Sequence, residues 1–406
     1  MGPDPEEVKM LQPSSAAATP QLLRRVNAQS VLGVIRATDV ATGSELMGRT
    51  GLSRASVIAV CEDLIRRGWI RELGPRGGDH PGNPGKGRPA RRFELNSAAG
   101  FVLGLDIGAA TTTAAVADLR GTVVGRASGS FRAADIPAAE RIAVVDRACR
   151  QALADAGTGP DAVLAVGAGI AAPVDRDGNV LVSQHFWSLF DVGLRTALKD
   201  LHGWTVLLEN DANLAVLGER WRGSGTGVDD LVVLLAGERL GAGVLESGRL
   251  LHGRGGAAGE MGYLDLVEGV GSSDGIASLA RQWSAAGGGP AAGGEASARR
   301  VFQDAAAGDP AALAILDRIA ERMARIIASL ASFINPEQVV IGGAVAASAG
   351  VLLPRITALL PRFTATPPVV TVSSLGASIV TVGAVRHALD YVEANALELE
   401  LERPGS

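Results

Sequence analysis

Cysteine, aromatic residues and long apolar runs are scarce in this sequence. Its 406 residues include 2 cysteines, Cys61 and Cys149, which excludes a disulfide framework and a cysteine-based metal cluster. No run of about 18 uncharged apolar residues is present, so the sequence predicts no transmembrane helix. The first residues lack the basic and then apolar pattern of a secretory signal. We therefore expect a protein of the reducing cytoplasm that does not contact a membrane.

Basic residues are concentrated near the N-terminus, although the whole chain has a net charge of −5. Residues 21–95 contain 13 Lys and Arg against 7 Asp and Glu, a net charge of +6. Residues 96–406 contain 24 against 33, a net charge of −9. A basic module on an acidic body indicates an anionic partner for that module alone. A basic surface that only faces solvent would give the same counts.

Apolar residues at helical spacing predict three helices in the basic module. Residues 22–35 form the first helix and residues 44–49 the second, and Ser53 caps the third after a turn at residues 50–52. This order is typical of a helix-turn-helix, in which the third helix reads DNA. Residues 69–73 and 90–95 then predict two strands of a β wing, joined by a basic loop rich in Gly and Pro.

The candidate DNA contacts are polar and basic residues of the third helix and the wing. Arginine can bind guanine edges with two hydrogen bonds, and serine can bind bases or phosphates. A basic loop suits phosphates or the minor groove. The candidate DNA-binding residues are Ser53, Arg54, Ser56, Arg76, Lys86, Arg88 and Arg91. A winged helix that binds protein instead of DNA is the alternative.

The basic module resembles the N-terminal domain of ROK-family transcriptional regulators. The resemblance rests on stretches such as Arg25-Val-Asn27, Thr50-Gly51-Leu52-Ser53-Arg54 and Gly87-Arg88-Pro89-Ala90-Arg91. Those regulators join a winged helix-turn-helix to a body derived from a sugar kinase. The resemblance therefore implies a double-stranded DNA operator as the partner of this module.

The rest of the chain predicts an α/β body in which one order of strands and helices occurs twice. Residues 101–107 and 112–119 predict strands, residues 137–156 a helix and residues 163–170 another strand, and a similar order follows residue 231. Two such halves around a cleft are typical of the actin/hexokinase-like architecture. The body resembles the ROK domain in its stretches Asp106-Ile-Gly108, Ala172-Pro173-Val174, Glu209-Asn210-Asp211-Ala212-Asn213, Gly259-Glu260-Met261-Gly262 and Asn335-Pro336-Glu337.

Five segments follow from these patterns. They are a disordered tail (1–20), the winged helix-turn-helix (21–96), a first ROK lobe (97–227), a second ROK lobe with terminal helices (228–395) and a C-terminal tail (396–406).

The stretch 209–213 is the centre of the predicted ligand site. It lies between an apolar strand at residues 204–208 and a following helix, and ligands of α/β proteins bind at this end of a strand. Because Asn and Asp are also good N-caps, the stretch could instead serve only to start the helix. The ROK resemblance implies that Asn210 and Asp211 bind sugar hydroxyls, and that Asp211 stands where the kinases have their catalytic base.

The same resemblance implies three further sugar contacts. Glu260 would bind two hydroxyls with its carboxylate, and Pro173 would flank the sugar ring. Tyr263 stands where the family has a histidine, and its hydroxyl can replace that contact. The competing interpretation is a pocket kept as scaffold, in which these polar residues only cap helices.

Both phosphate loops of the related kinases are altered here. Asp106-Ile-Gly-Ala-Ala-Thr111 stands in place of Asp-x-Gly-Gly-Thr-Lys, and Gly237-Glu-Arg-Leu-Gly-Ala-Gly243 in place of Gly-Thr-Gly-Ile-Gly-x-Gly. Glu238 would repel a triphosphate by about 4 kcal/mol per charge pair at ~4 Å and an effective dielectric constant of ~20. Arg239 can compensate for this charge, but it replaces a glycine that permits close backbone approach. We therefore expect no kinase activity and no cofactor.

The structural zinc site of the family is also lost. Related proteins continue with His and then Cys-x-Cys-Gly-x-x-Gly-Cys, which hold the ion. Here Tyr263 replaces the histidine and residues 267–274 contain no cysteine. We expect no metal, and a loop that is held by packing alone.

Together these features predict a transcriptional regulator of carbohydrate metabolism genes, and specifically a repressor. A homodimer or homotetramer would bind the operator and respond to a sugar or sugar phosphate in the cleft. One alternative is an ATP-dependent, glucokinase-like ROK sugar kinase with an appended DNA-binding module. Another is a regulator that responds to a partner protein and binds no small ligand.

Overall fold

A computed structural model describes residues 20–74, 90–182, 185–262, 264–287, 295–343 and 346–401. These residues divide into two compact units. The N-terminal unit contains the described residues up to Leu95 together with Glu393–Glu400, and the body contains Asn96–Val392 and Leu401. Among the described helices, none combines the length and the apolar character that a bilayer crossing requires.

The N-terminal unit contains three helices and a small antiparallel sheet. Its helices are α1 (Pro20–Arg36), α2 (Gly43–Thr50) and α3 (Arg54–Arg66). Its strands are β1 (Ala41–Thr42), β2 (Ile70–Leu73) and β3 (Arg92–Leu95), in the order β1-β3-β2. The three helices and two longer strands predicted from sequence are confirmed, with ends that differ by a few residues. The short strand β1 was not predicted.

Local side-chain caps explain where α2 and α3 begin. The hydroxyl of Thr42 accepts a hydrogen bond from the Glu45 backbone N–H at 3.2 Å, and the Glu45 carboxylate accepts one from the Thr42 N–H at 2.7 Å. This is a capping box. The helix α2 ends at Gly51, whose φ of 70° suits glycine. Ser53 caps α3 by accepting a hydrogen bond from the Ser56 N–H.

The C-terminal segment Glu393–Glu400 belongs to the N-terminal unit. Arg25 donates from Nε to the Ala394 carbonyl at 2.7 Å and from Nη2 to the Asn395 side chain at 2.5 Å. Arg67 of α3 donates from Nη1 to the Leu397 carbonyl at 2.7 Å. The domain boundaries drawn from sequence divided this segment between the second lobe and a tail, because its partners lie more than 300 residues away.

The first half of the body is a five-stranded sheet with helices. Its strands are β4 (Phe101–Ile107), β5 (Thr111–Asp118), β6 (Val123–Ser130), β7 (Val163–Ile170) and β8 (Val206–Asn210). Their order is β6-β5-β4-β7-β8, and β4, β7 and β8 are parallel. Its helices are α4 (Ala138–Asp155), α5 (His185–Ser188), α6 (Leu194–His202) and α7 (Asp211–Arg222).

The second half repeats the arrangement. Its strands are β9 (Leu231–Ala236), β10 (Leu240–Glu246), β11 (Arg249–Leu250), β12 (Gln338–Gly342) and β13 (Val369–Val372), in the order β11-β10-β9-β12-β13. Its helices are α8 (Ile276–Ala286), α9 (Glu295–Ala306), α10 (Pro310–Ile334), α11 (Ala346–Ala349), α12 (Leu353–Leu359) and α13 (Ile379–Ala394). The predicted α/β, actin/hexokinase-like body is thereby confirmed.

The last helix, α13, packs directly on the first sheet. A Cβ placed on Gly104 of β4 would lie 2.6 Å from the Thr381 carbonyl oxygen, and one on Gly167 of β7 would lie 2.2 Å from that of Ala384. Larger residues at these two positions would therefore displace the helix. Since the helix follows the second half in sequence, it ties the two halves of the body together.

Candidate functional site

Asn210 joins the end of β8 to the start of α7. Its Oδ1 accepts hydrogen bonds from the backbone N–H groups of Ala212 and Asn213, at 2.9 and 3.2 Å. Its Nδ2 donates to the Ala172 carbonyl at 3.1 Å. The capping interpretation of Asn210 is therefore correct as geometry. The same side chain also fixes the loop that contains Pro173, whose ring is buried.

Glu209 is a buried acid with three hydrogen-bond partners. Its Oε1 accepts from the Asn210 N–H at 2.8 Å and from Asn213 Nδ2 at 2.9 Å, and its Oε2 lies 2.8 Å from His252 Nε2. The hydrogen bond to Glu209 raises the pKa of His252. His252 also precedes the loop to Glu260, and its carbonyl accepts from the Ala258 N–H. We did not predict His252, since a single histidine in a Gly-rich loop carries no sequence signal.

Three acids form what we call the carboxyl cluster: Asp106 at the end of β4, Asp211 at the start of α7, and Glu260. Burial above all, and then the charges of Asp106 and Glu260, raise the pKa of Asp211 to about 8. Burial also raises the pKa of Glu260 to about 7 and that of Asp106 to about 6. Near neutral pH such acids can donate hydrogen bonds to hydroxyl oxygens when protonated and accept them from hydroxyl groups when ionised.

Close backbone contacts hold the cluster together. A Cβ on Gly243 of β10 would lie 2.0 Å from the Ala212 carbonyl oxygen, so the second sheet meets the start of α7. Gly259, beside Glu260, has a φ of 83°, and its Cβ would lie 2.1 Å from the Ala242 carbonyl oxygen. The predicted residues Asn210, Asp211 and Glu260 therefore come together. Tyr263 lies outside the described residues.

The turn between β9 and β10, here called the phosphate turn, lies where the family resemblance places the second phosphate loop. It already has partners inside the protein. The carbonyls of Gly237 and Glu238 accept hydrogen bonds from the Ala277 and Gly275 N–H groups, at 3.1 and 2.8 Å. Both Nη atoms of Arg281 bind the Glu238 carboxylate. Arg281, which we did not predict, therefore compensates the charge of Glu238.

Arg239 instead connects three groups around the carboxyl cluster. Its guanidinium lies 4.9 Å from the ring centroid of Phe186, and its Nη2 donates to Ser273 Oγ at 3.1 Å. Its positive charge lowers the pKa of Glu260, against the larger effect of burial. The side chain therefore occupies the space beside the cluster that a glycine would leave open.

An arginine that we did not predict binds the turn after β4, where the family resemblance places the first phosphate loop. Arg141 of α4 is 1% exposed and donates from Nη1 to the Gly108 carbonyl at 3.1 Å. Its Nη2 donates to the Ala134 carbonyl at 2.7 Å. The guanidinium thus faces the carbonyl side of this turn.

The predicted DNA contacts differ in their surroundings. Ser53 and Arg54 are exposed at the start of α3, where the hydroxyls of Ser53 and Ser56 lie 2.9 Å apart. Arg91 binds the Glu72 carboxylate with two hydrogen bonds, of 2.9 and 2.8 Å, and reaches Glu62 at 3.3 Å. Three other candidates lie outside the described residues: Arg76, Lys86 and Arg88.

No group of three or more His, Cys, Asp or Glu side chains suited to a metal occurs in the described parts of the chain. Both cysteines are buried, and burial raises the pKa of each thiol to about 12. The expectation that packing alone holds residues 267–274 is wrong, because Arg322 of α10 donates hydrogen bonds to the carbonyls of Val270 and Ser272.

Known relatives include both kinases and regulators. A glucokinase of Halalkalibacterium halodurans is 32% identical over 214 residues, which are 47% of this chain and 65% of that protein. The chain thus spans about two thirds of the length of this glucokinase. A xylose repressor of Caldicellulosiruptor bescii is 23% identical over 352 residues, which are 79% of this chain and 84% of the repressor.

Similar solved structures also include both a regulator and a kinase. A ROK family transcriptional regulator, a homolog of the E. coli MLC protein, matches with a TM-score of 0.75 and 21% identity. The match covers 92% of this chain and 98% of that one. A ROK family glucokinase from Streptomyces griseus, in complex with glucose and AMPPNP, matches with a TM-score of 0.60 and 25% identity over 71% of this chain and 99% of that one. Because the profile described as ROK family matches residues 102–390, this chain belongs to the ROK family.

Proposed function

We propose that the chain is a sugar-responsive, DNA-binding repressor whose body has no kinase activity. The observation that carries this proposal is the contrast within the body. Asn210, Asp211 and Glu260 come together with groups suited to hydroxyls, while the phosphate turn is bonded to Arg281 and α8. The xylose repressor and the ROK regulator match 79% and 92% of the chain, whereas the two glucokinases match 47% and 71% of it, which supports this reading.

The N-terminal unit would be a winged helix-turn-helix. Its helix and strand order supports this assignment, with α3 as the reading helix and β2 and β3 as the wing. Two such units in a homodimer or homotetramer would bind a pseudo-palindromic operator. Because the chain passes between unit and body at residues 95–96, 392–393 and 400–401, the body has more than one covalent connection through which to act.

Arg54→Ala tests the role of α3. If Arg54 contacts a base, the substitution should weaken operator binding by about 1–3 kcal/mol and relax the preference at one position. The operator is first selected from random duplexes with the intact protein, and affinity is measured by fluorescence anisotropy at fixed salt. Arg126→Ala, an equal charge change on the exposed side of β6 in the body, is the matched control. An equal loss on operator and random DNA would mean that Arg54 touches only the backbone.

The glucokinase relatives make a sugar kinase the second candidate. Calorimetry distinguishes the two functions. We expect a monosaccharide or sugar phosphate from a defined panel to bind, and MgATP to give no heat with or without that sugar, because Glu238 and Arg239 occupy the phosphate turn. Micromolar MgATP binding, or phosphorylated sugar in the calorimeter cell after the titration, would support the sugar-kinase function. A regulator that responds to a partner protein would bind the operator but no member of the panel.

A ligand acts on the operator only if it prefers one state of the protein. The bound sugar should therefore change operator affinity in the same anisotropy assay. If the sugar releases the repressor from DNA, the affinity for the operator falls when the sugar is bound.

A further inference from the structure

The loop at residues 267–274 does not fit the zinc ion that its relatives are expected to hold there. It contains no cysteine, and its two acids are Glu268 and Asp274. The Asp274 carboxylate already accepts hydrogen bonds from Ser272 Oγ at 2.7 Å and Ser278 Oγ at 3.4 Å. A tetrahedral set of nitrogen and sulfur ligands is therefore missing.

A buried guanidinium lies at this loop instead. Arg322, in the middle of α10, is 3% exposed. Its Nε donates to the Val270 carbonyl at 2.8 Å, and its Nη2 donates to the Ser272 carbonyl. Burial lowers the pKa of the guanidinium, which the charge of Asp274 opposes. A buried cation is costly unless hydrogen bonds satisfy it, so this cation and the two carbonyls depend on each other.

The loop in turn holds the phosphate turn. The Leu240 N–H donates to the Ser273 carbonyl at 2.8 Å, and the Gly275 N–H donates to the Glu238 carbonyl at 2.8 Å. Ser273 Oγ accepts the hydrogen bond from Arg239. Arg239 then acts on Glu260 through its charge. A series of hydrogen bonds therefore leads from Arg322 to Arg239, whose charge acts on Glu260 in the carboxyl cluster.

We propose that Arg322 is a positioning residue that replaces the structural metal of this loop. Its buried guanidinium organises the backbone of residues 270–272 through their carbonyls, as a bound cation would organise ligand side chains. The loop then fixes Arg239 beside Glu260 at the site where sugar binds. This inference rests on the proposed sugar function. A protease assay tests the role of Arg322 in the loop without sugar.

Arg322→Met tests the proposal, because methionine retains much of the side-chain length but no donors. We expect sugar affinity to fall about tenfold, since two charge-assisted hydrogen bonds are lost and Arg239 is no longer fixed. Operator affinity without sugar should stay unchanged. Cleavage after Glu268 by a glutamate-specific protease should become faster. Arg318→Met, on an exposed position of the same helix, is the control and should change none of these values.

The outcomes distinguish the role of Arg322 from the proposed sugar function. Wild-type sugar affinity together with unchanged cleavage at Glu268 in Arg322→Met would overturn the role of Arg322. If that variant fails to fold, Arg322→Lys decides, because it keeps the charge but not the planar fork of donors. Weaker sugar binding with intact operator binding in the lysine variant supports the proposal, and wild-type sugar affinity contradicts it. If the wild-type protein binds no sugar, the proposed function fails while the protease assay still reports on the loop.

Discussion

Replacing Glu260 by glutamine is expected to weaken sugar binding by about 10- to 150-fold, since a hydrogen bond to a charged group contributes about 1.5–3 kcal/mol. Glutamine keeps the size of the side chain but accepts more weakly and carries no charge. Because burial raises the pKa of Glu260 to about 7, the wild-type carboxyl loses its proton between roughly pH 6 and pH 8. The difference between the two proteins should therefore increase over this range.

Calorimetry with the panel sugar at pH 6, 7 and 8 measures the effect, and operator anisotropy shows whether the sugar response is lost with it. Operator affinity without sugar should not change, because Glu260 belongs to the body. Glu246→Gln, an exposed acid at the end of β10, is the matched control. Equal sugar affinity of Glu260→Gln and wild type would place the ligand elsewhere.

Replacing Asp211 by asparagine is expected to stabilise the ligand-free protein at high pH relative to wild type. The folded-state pKa of Asp211 is about 8, against an ordinary value of 3.8. Between these values the folded state keeps a proton that the unfolded state has released. The stability that this bound proton contributes is therefore fully present below about pH 4 and is lost as the pH rises through 8. Asparagine lacks this titration and keeps an oxygen for the Ala212 N–H.

The measurement is the melting temperature of both proteins at pH 5.5 and pH 8.5, without sugar. Allowing for water that reaches the partly exposed Asp211, the asparagine variant should gain about 2 kcal/mol, or about 4 °C, between the two pH values. Asp200→Asn, at an exposed position of α6, should show no such change. A parallel pH dependence of Asp211→Asn and wild type would mean that the carboxyl is not desolvated in the folded protein.

Both predictions concern residues that the ROK resemblance identified, and for Asp211 a local pattern supports the assignment. A strand that ends in Glu-Asn-Asp and continues as a helix specifies where Asn210 and Asp211 lie, because capping and strand ends depend on neighbouring residues. Apolar periodicity also predicted most strands of the described body and its long helices α4 and α10, but not α6, α9 or β13. The departures from the phosphate-loop pattern of the related kinases were also visible in the sequence, since a charged residue in place of threonine changes the local chemistry.

The partners of these residues came only from the tertiary structure. Glu238 is neutralised by Arg281, Glu209 pairs with His252, and Arg322 holds the loop of Val270. Each contact joins residues that are 43 to 52 positions apart. A charged side chain in a sequence shows that a partner is needed but not which one, because folding decides which distant charges and carbonyls meet.

The sequence by itself determined most of the order of strands and helices in the α/β body, because that order follows from short-range patterns of apolar and capping residues. Its resemblance to the ROK family indicated where the candidate polar site lies. The tertiary structure decided which groups surround that site, how strongly its acids are buried, and that Glu393–Glu400 joins the N-terminal unit through Arg25 and Arg67. Burial and long-range pairing depend on the complete packed chain, and hydrophobic periodicity carries no record of them.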